Sequence, residues 1–235
     1  VASRLIVLDT ETTGLNARMG DRIIEVGCVE LLGRNVTERH FHHYVNPGRD
    51  IEEGALKVHG ITKEFLLDKP KFAEIARAFL DYVQGADLVI HNAPFDVEFL
   101  DMELELAGLG KLSSHVATVI DSLPMARELH PGKKNSLDAL CERYMINNAH
   151  RTLHGALLDA RLLAEVYLAM TRGQESLVME LDSPAMAAAA IAMVELNRLV
   201  VLPPTVDELA AHESYLDSLD KAAAKEGGSV WRRLS

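Results

Sequence analysis

Cysteine is scarce in this chain: its 235 residues include two. Cys28 falls in an apolar, strand-like run and Cys141 in a helix-like one, and nothing spaces them as metal ligands. That excludes a disulfide-stapled scaffold and fits a reducing compartment. Long apolar runs are missing too, since the longest, residues 185–194, is about half of the ~20 residues that span a bilayer. The first residues lead straight into a strand-like run with no secretory pattern, so a soluble, cytoplasmic protein without a membrane partner is expected. The third absence is a basic surplus. The formal net charge is −11, with 19 Lys/Arg against 25 Asp/Glu up to Gly173 and 5 against 10 beyond it. A protein that grips nucleic acid unaided normally presents a basic face, because neutralising phosphates supplies much of the affinity. If the substrate is nucleic acid, bound divalent cations or a partner protein must supply part of the grip.

What is present is a body large enough to bury its own core. Residues 5–8 form a continuous apolar run ending at Asp9, the pattern of a central strand buried on both faces. Residues 22–32 and 40–45 are two further strand-like runs, joined through Gly33 and Asn35 as in a meander. The period then changes: residues 72–83 carry apolar positions at helical spacing, and Gly85 stands where a helix ends. Residues 87–91 form a strand followed by a helix to about residue 107, residues 116–120 a fifth strand, and residues 136–144 and 155–170 two more helices. The sum is α/β: a mixed five-stranded sheet, with a three-strand meander and two parallel strands, covered by helices. After Gly173 the texture changes to an Ala/Met-rich stretch, then Pro203-Pro204, then Thr205 and Glu208 at capping-box spacing. The domains expected are 1–173 as the catalytic body, 174–204 as a linker and 205–235 as a docking segment.

Asp9 and Glu11 stand two apart at a strand end, so their side chains share a face. Such carboxylates repel unless protonated or bridged by a cation; taken alone, a solvated strand end accounts for them better. Asp159 is more informative. On a helical wheel it lies in the apolar stripe of Leu158, Leu162, Leu163, Val166 and Met170, where a carboxylate must be ion-paired, hydrogen-bonded or metal-bound. Asp96 sits in the first turn of the helix after a strand, close to where open α/β sheets bind ligands, although helix-dipole stabilisation explains it equally. His154 can face the same site as Asp159 only from the helix mouth or the loop before it. There its near-neutral pKa would suit a general base; a surface histidine is the plainer alternative.

Taken together, Asp9-x-Glu11, Asp96 and His154-x-x-x-x-Asp159 resemble the DEDDh group of 3′→5′ exonucleases. The words Asp-Thr-Glu-Thr-Thr-Gly-Leu at 9–15, Val-His-Gly-Ile-Thr at 58–62, His-Asn-Ala-Pro-Phe-Asp at 91–96 and His-Gly-Ala-Leu-Leu-Asp-Ala at 154–160 carry the resemblance. It covers roughly residues 4 to 172 and is strongest to the proofreading subunits of bacterial replicative polymerases. It implies a ribonuclease-H-like fold and two divalent cations, Mg²⁺ or Mn²⁺, held by Asp9, Glu11, Asp96 and Asp159, with His154 as the base. Asp9, Glu11, Asp159 and His59 would contact the substrate, a DNA 3′ end. The family often has a Glu-Ala pair upstream of His59; here Gly54 precedes Ala55 and the glutamates are Glu52 and Glu53.

The tail extends the resemblance. Gln174, Leu177 and Met179 resemble a short sliding-clamp-binding peptide, and the last helix with Trp231 resembles a segment docking on the polymerase catalytic (alpha) subunit. A plain linker and a segment folded back on its own domain are the alternatives. A free-standing DEDDh nuclease acting on DNA or RNA ends is the competing function, and a phosphatase with Asp9 as nucleophile is the competitor from another class, although it leaves His154 and Asp159 without roles. His40, His42 and His43 lack an evident Cys or carboxylate partner nearby, so a polar strand surface is expected rather than zinc. Gly132-Lys133-Lys134-Asn135-Ser136 resembles a phosphate loop only superficially, and a helix cap at Asn135 or Ser136 is expected.

Overall fold

The computed structural model describes residues 4–148, 153–172 and 203–222. The chain divides into two compact units, Val1–Val178 and Met179–Ser235. In the first, β1 (Arg4–Thr12) lies at the centre of a five-stranded sheet of order β3-β2-β1-β4-β5, with β2 at Ile23–Leu32, β3 at Asn35–Tyr44, β4 at Asp87–Ile90 and β5 at Thr118–Asp121. β2 runs antiparallel to both β1 and β3, whereas β1, β4 and β5 are parallel. The expected meander and parallel pair are therefore observed. β3 starts at Asn35 rather than near residue 40, because Asn35 and Val36 pair with Leu32 and Leu31 of β2 although the segment is mostly polar.

Alternation along β1 assigns its two faces. Ile6 and Leu8 pack with Phe72, Phe79, Leu88 and Phe99, beneath α3 (Phe72–Val83) and α4 (Ala93–Leu106). Leu5 and Val7 pack with Val89, Leu163 and Ala164, beneath α7 (Ala156–Met170). Even positions of β1 thus face α3 and α4, and odd positions face α7. Each fully buried Phe or Leu here contributes about 1.5–3 kcal/mol relative to exposure. α3 buries Phe72, Ile75, Ala76, Phe79, Leu80 and Val83, the stripe its sequence spells out, and Gly85 follows with φ 66°.

Three helices were not evident from periodicity: α1 (Glu53–His59), α2 (Lys63–Leu66) and α5 (Ser122–Leu129). Each is short. α1 buries His59 alone and α2 Leu66 alone, so neither writes an apolar stripe. α5 is started by Asp121, whose carboxylate accepts from the Leu123 N–H. α6 (Leu137–Tyr144) is capped by the Ser136 hydroxyl, as its sequence indicates. In the second unit, α8 (Val206–Ala222) has the capping box read from the sequence: the Glu208 N–H donates to Thr205 Oγ1 at 3.3 Å and the Thr205 N–H to Glu208 Oε2 at 2.8 Å. Residues 174–202 and 223–235, which hold Gln174, Leu177, Met179 and Trp231, lie outside the described residues.

The N-terminus of α7 sits directly on β2. A Cβ built on Gly27 would lie 2.3 Å from the backbone of Ala156 and Leu157, so only glycine permits this approach. Gly27→Ala is expected to destabilise the protein by about 1–3 kcal/mol or more through overpacking, lowering the urea midpoint. Gly54→Ala, with nothing within 4 Å of the added carbon, is expected to be neutral or slightly stabilising. Equal midpoints for the two variants would refute this account of the packing.

Candidate active site

The parity of β1 decides how its carboxylates are used. Asp9 and Glu11, at odd positions, emerge on the α7 side at the end of the strand. Thr10, between them, points the other way and meets Asp96 in the first turn of α4. Its backbone N–H and its hydroxyl both donate to Asp96 Oδ1, at 3.1 and 2.6 Å. Asp159, one turn into α7, is 2 % exposed. His154 lies on the loop before α7, as the sequence requires, with its Nδ1 3.4 Å from Asp159 Oδ2. The Val58 carbonyl accepts from the backbone N–H of His154 at 3.1 Å, pinning this loop to α1.

These residues converge. Asp9, Glu11, Asp96, His154 and Asp159 line one hollow of about 260 Å³. Glu11, His154 and Asp159 each offer a ligand atom, all within 4.8 Å of one another. Several carboxylates in so small a space, with Glu11, Asp96 and Asp159 all buried, form a set of hard oxygen donors suited to divalent cations of the Mg²⁺ or Mn²⁺ kind. Burial pushes the Asp96 carboxyl up to about 7, against the hydrogen bonds from Thr10 that favour its charged form, and the charge of Asp121 adds to the shift. Desolvation thus draws Asp96 toward its protonated form, and a cation bound beside it would reverse that pull.

His59 stands on the other side of Glu11, in an adjoining hollow of about 330 Å³ that also contains Glu52, Gly54, Ala55 and Val58. Its Nδ1 accepts from the Ile61 N–H at 2.9 Å, which puts the ring proton on Nε2. That Nε2 is buried and has no hydrogen-bond partner among the described residues. Burial holds the imidazole below the ordinary histidine value, against the pull of Glu25. The hollow thus offers an apolar wall beside a buried imidazole whose Nε2 also feels the Thr12 carbonyl. Glu52, two residues before the Gly54 that replaces the usual glutamate of the Glu-Ala pair, lines this same hollow.

Sequence reasoning missed Glu25. It faces Glu11 directly across the β1–β2 pair and is 2 % exposed. Its Oε2 accepts from the Ala156 N–H at 3.1 Å, capping α7, and its Oε1 lies 2.7 Å from His42 Nε2. The expectation that His42 lacks a carboxylate partner is therefore corrected: Glu25 is 17 residues away in sequence, and only strand pairing brings the two together. An internal Glu in the apolar run 23–32 was the available signal. The metal cluster found among the described residues contains none of His40, His42 and His43. Ser136 caps α6, and Asn135 braces the loop before it, its Nδ2 donating to the Lys133 carbonyl at 3.1 Å.

A mixed sheet with carboxylates of β1, α4 and α7 gathered at the carboxyl end of its central strand is the architecture of the exonuclease class, and the family model described as exonuclease (RNase T) matches residues 6–167. Exonuclease X, solved in complex with 5′ overhanging duplex DNA, is similar with a TM-score of 0.57 and 27 % identity over 72 % of this chain and 92 % of that one. A zinc-bound complex of Escherichia coli ExoI with ssDNA shares the fold, with a TM-score of 0.64 and 19 % identity over 77 % of this chain and 43 % of that one. The DNA polymerase III subunit epsilon of Pasteurella multocida (strain Pm70) is 49 % identical over 98 % of this chain and 94 % of its own. That of Escherichia coli (strain K12) is 48 % identical over 98 % of both. The chain belongs to the exonuclease family, in the branch of the bacterial DNA polymerase III epsilon subunits.

Asp96 has a pH consequence in the metal-free protein. The unfolded chain releases this proton near the ordinary value of 3.8, the folded one near 7. Between those values the native state binds more protons, so stability is undiminished below about 4 and falls as pH rises to about 7. Asp96→Asn is expected to flatten that decline in melting temperature, and added Mn²⁺ to raise the wild-type midpoint at neutral pH. An identical pH profile for the variant and the wild type would remove Asp96 as the cause.

Proposed function

We propose that the chain is the proofreading 3′→5′ exonuclease of a replicative DNA polymerase, and that Asp9, Glu11, Asp96 and Asp159 hold two divalent cations, Mg²⁺ or Mn²⁺. Asp9 and Glu11 would hold them from β1, Asp159 from α7 and Asp96 from the first turn of α4, directly or through water. When bound, the cations offset the charge of the carboxylates and stabilise the charge that develops on the attacking and departing oxygens. The observation that carries this reading is the convergence of Glu11, His154 and Asp159 within 4.8 Å, in a hollow shared with Asp9 and Asp96.

The chain's own residues supply orientation and proton transfer. Asp159 faces His154 Nδ1, which leaves Nε2 to accept the proton of the attacking water. The water oxygen forms a bond to the terminal phosphorus as the bond from phosphorus to the 3′-oxygen of the preceding nucleotide breaks. That 3′-oxygen takes a proton from solvent, and a nucleoside 5′-monophosphate leaves. His59 donates its Nε2–H to the terminal nucleotide, which rests against Ala55, Val58 and Phe95 in the adjoining hollow. The acidic charge is tolerable because the enzyme works on a strand handed over by a polymerase, at the high effective concentration that tethering provides. The likeness to epsilon subunits runs over the tail as well as the body, which favours this assembly over a free-standing nuclease. Residues 205–235 with Trp231 are the segment for the alpha subunit, and Gln174, Leu177 and Met179 are the residues for the sliding clamp.

With Mn²⁺ and labelled single-stranded DNA, the protein is expected to release mononucleotides stepwise from the 3′ end; release of terminal phosphate alone would point to a phosphatase instead. His154→Ala should lower the rate by about 10²–10⁴-fold with the fold and polymerase binding intact, and full retained activity would strip His154 of its role. Deleting residues 174–235 should abolish polymerase and clamp binding while leaving cleavage of free single strands. Undiminished binding by the truncated protein would contradict the proofreading assignment.

A further inference from the structure

Three hollows lie in a row across the carboxyl ends of the strands. The one containing His59 shares Thr10, Glu11 and Phe95 with the carboxylate hollow. The carboxylate hollow in turn shares His91, Asn92 and Ser136 with a third, of about 560 Å³, whose further lining includes Arg127 and Lys133. The third hollow has no part in the chemistry described above.

Its lining includes cations that no carboxylate neutralises among the described residues. Arg4, Arg18, Arg22, Arg39, Arg49, Lys57, Lys63 and Lys69 each have a carboxylate partner. Arg127, Lys133 and the neighbouring Lys134 have no ion-pair partner among the described residues, and all three are exposed. The loop that presents the lysines is braced from behind. Asn135 Nδ2 donates to the carbonyls of His130 and Lys133, Arg143 donates to the Lys134 carbonyl at 2.8 Å, and His91 Nε2 to the Asn135 carbonyl at 2.8 Å. Two uncompensated cations in an acidic chain therefore flank a hollow continuous with the carboxylates.

We infer that this third hollow is the track for the substrate strand on the 5′ side of the cleaved bond, with Arg127 and Lys133 contacting successive backbone phosphates. The inference rests on the exonuclease reading. With the terminal nucleotide in the His59 hollow and its 5′-phosphate at the carboxylates, the rest of the strand must leave on the opposite side, where these cations stand. Such contacts carry no sequence information, as an enzyme that removes any mismatched end requires. They give this face a local grip on single strands that the net charge would deny it.

The test compares the wild type with Arg127→Gln/Lys133→Gln, in Mn²⁺, on two substrates. One is a single-stranded oligothymidylate. The other is the p-nitrophenyl ester of thymidine 5′-monophosphate, which has nothing on the 5′ side of the cleaved bond except the leaving group. On the oligomer, KM should rise about tenfold, and the dependence of log(kcat/KM) on log salt should become shallower by about 1.4, at ~0.7 per lost phosphate contact on a single strand. On the ester, both kinetic constants should be unchanged, and Arg127→Lys/Lys133→Arg should restore the oligomer KM. Unchanged oligomer kinetics, or an equal loss on both substrates, would overturn the inference. A wild type that cleaves neither substrate would instead overturn the exonuclease reading beneath it.

Discussion

The site depends on how closely the N-terminus of α7 approaches the sheet. Gly27 on β2 lies opposite Asp9 on β1, and the missing side chain lets the backbone of Ala156 and Leu157 settle against the strand. Two residues along, Glu25 uses its carboxylate to cap that helix end at the Ala156 N–H. A cap is worth about 1 kcal/mol in stability, but its positional effect matters more here. It fixes the start of α7, and with it Asp159 in the first turn and His154 just before the helix. Small displacements of reacting groups are costly in rate, and contacts from two sides restrain this loop: β2 through Glu25 and α1 through the Val58 carbonyl.

The electrostatics of the molecule follow from the same crowding. Asp9, Glu11, Asp96 and Asp159 are gathered where the sheet ends, in a chain that is acidic overall. Thr10 offers Asp96 two hydrogen bonds, yet burial still outweighs them and holds that acid toward its protonated form. The fold alone therefore leaves the site short of positive charge. Elsewhere several cations are spent on ion pairs: Arg22 with Glu103, Arg4 and Arg39 with Glu30, Arg49 with Asp21. Those pairs tie loops and strand ends to the sheet, and the cations left over include the ones beside the groove.

Much of this was legible without coordinates. The continuous apolar run of β1, the stripe of α3 and the capping box of α8 each obey a local rule, and each appears where the rule puts it. Asp159 stood out because a carboxylate on an apolar stripe demands an explanation. α1 and α2 were not legible, since each buries one side chain and is held by neighbours rather than by its own periodicity. The start of β3 was missed for a similar reason: residues 35–39 are mostly polar and are strand only because β2 offers them an edge.

By itself, the sequence determined the α/β class with its mixed five-stranded sheet, the membership of the acidic set and the chemistry those side chains can support. Those properties are written in period, spacing and residue type, which are local along the chain. Tertiary structure alone decided that odd positions of β1 face α7 while Thr10 turns to Asp96. It also decided that Glu25 joins His42 to the α7 cap, that His59 lines a hollow beside Glu11, and that Arg127 and Lys133 line the hollow next to that of the carboxylates. Each of these depends on strand register and helix packing between residues distant in sequence, and no local pattern encodes the distance between them.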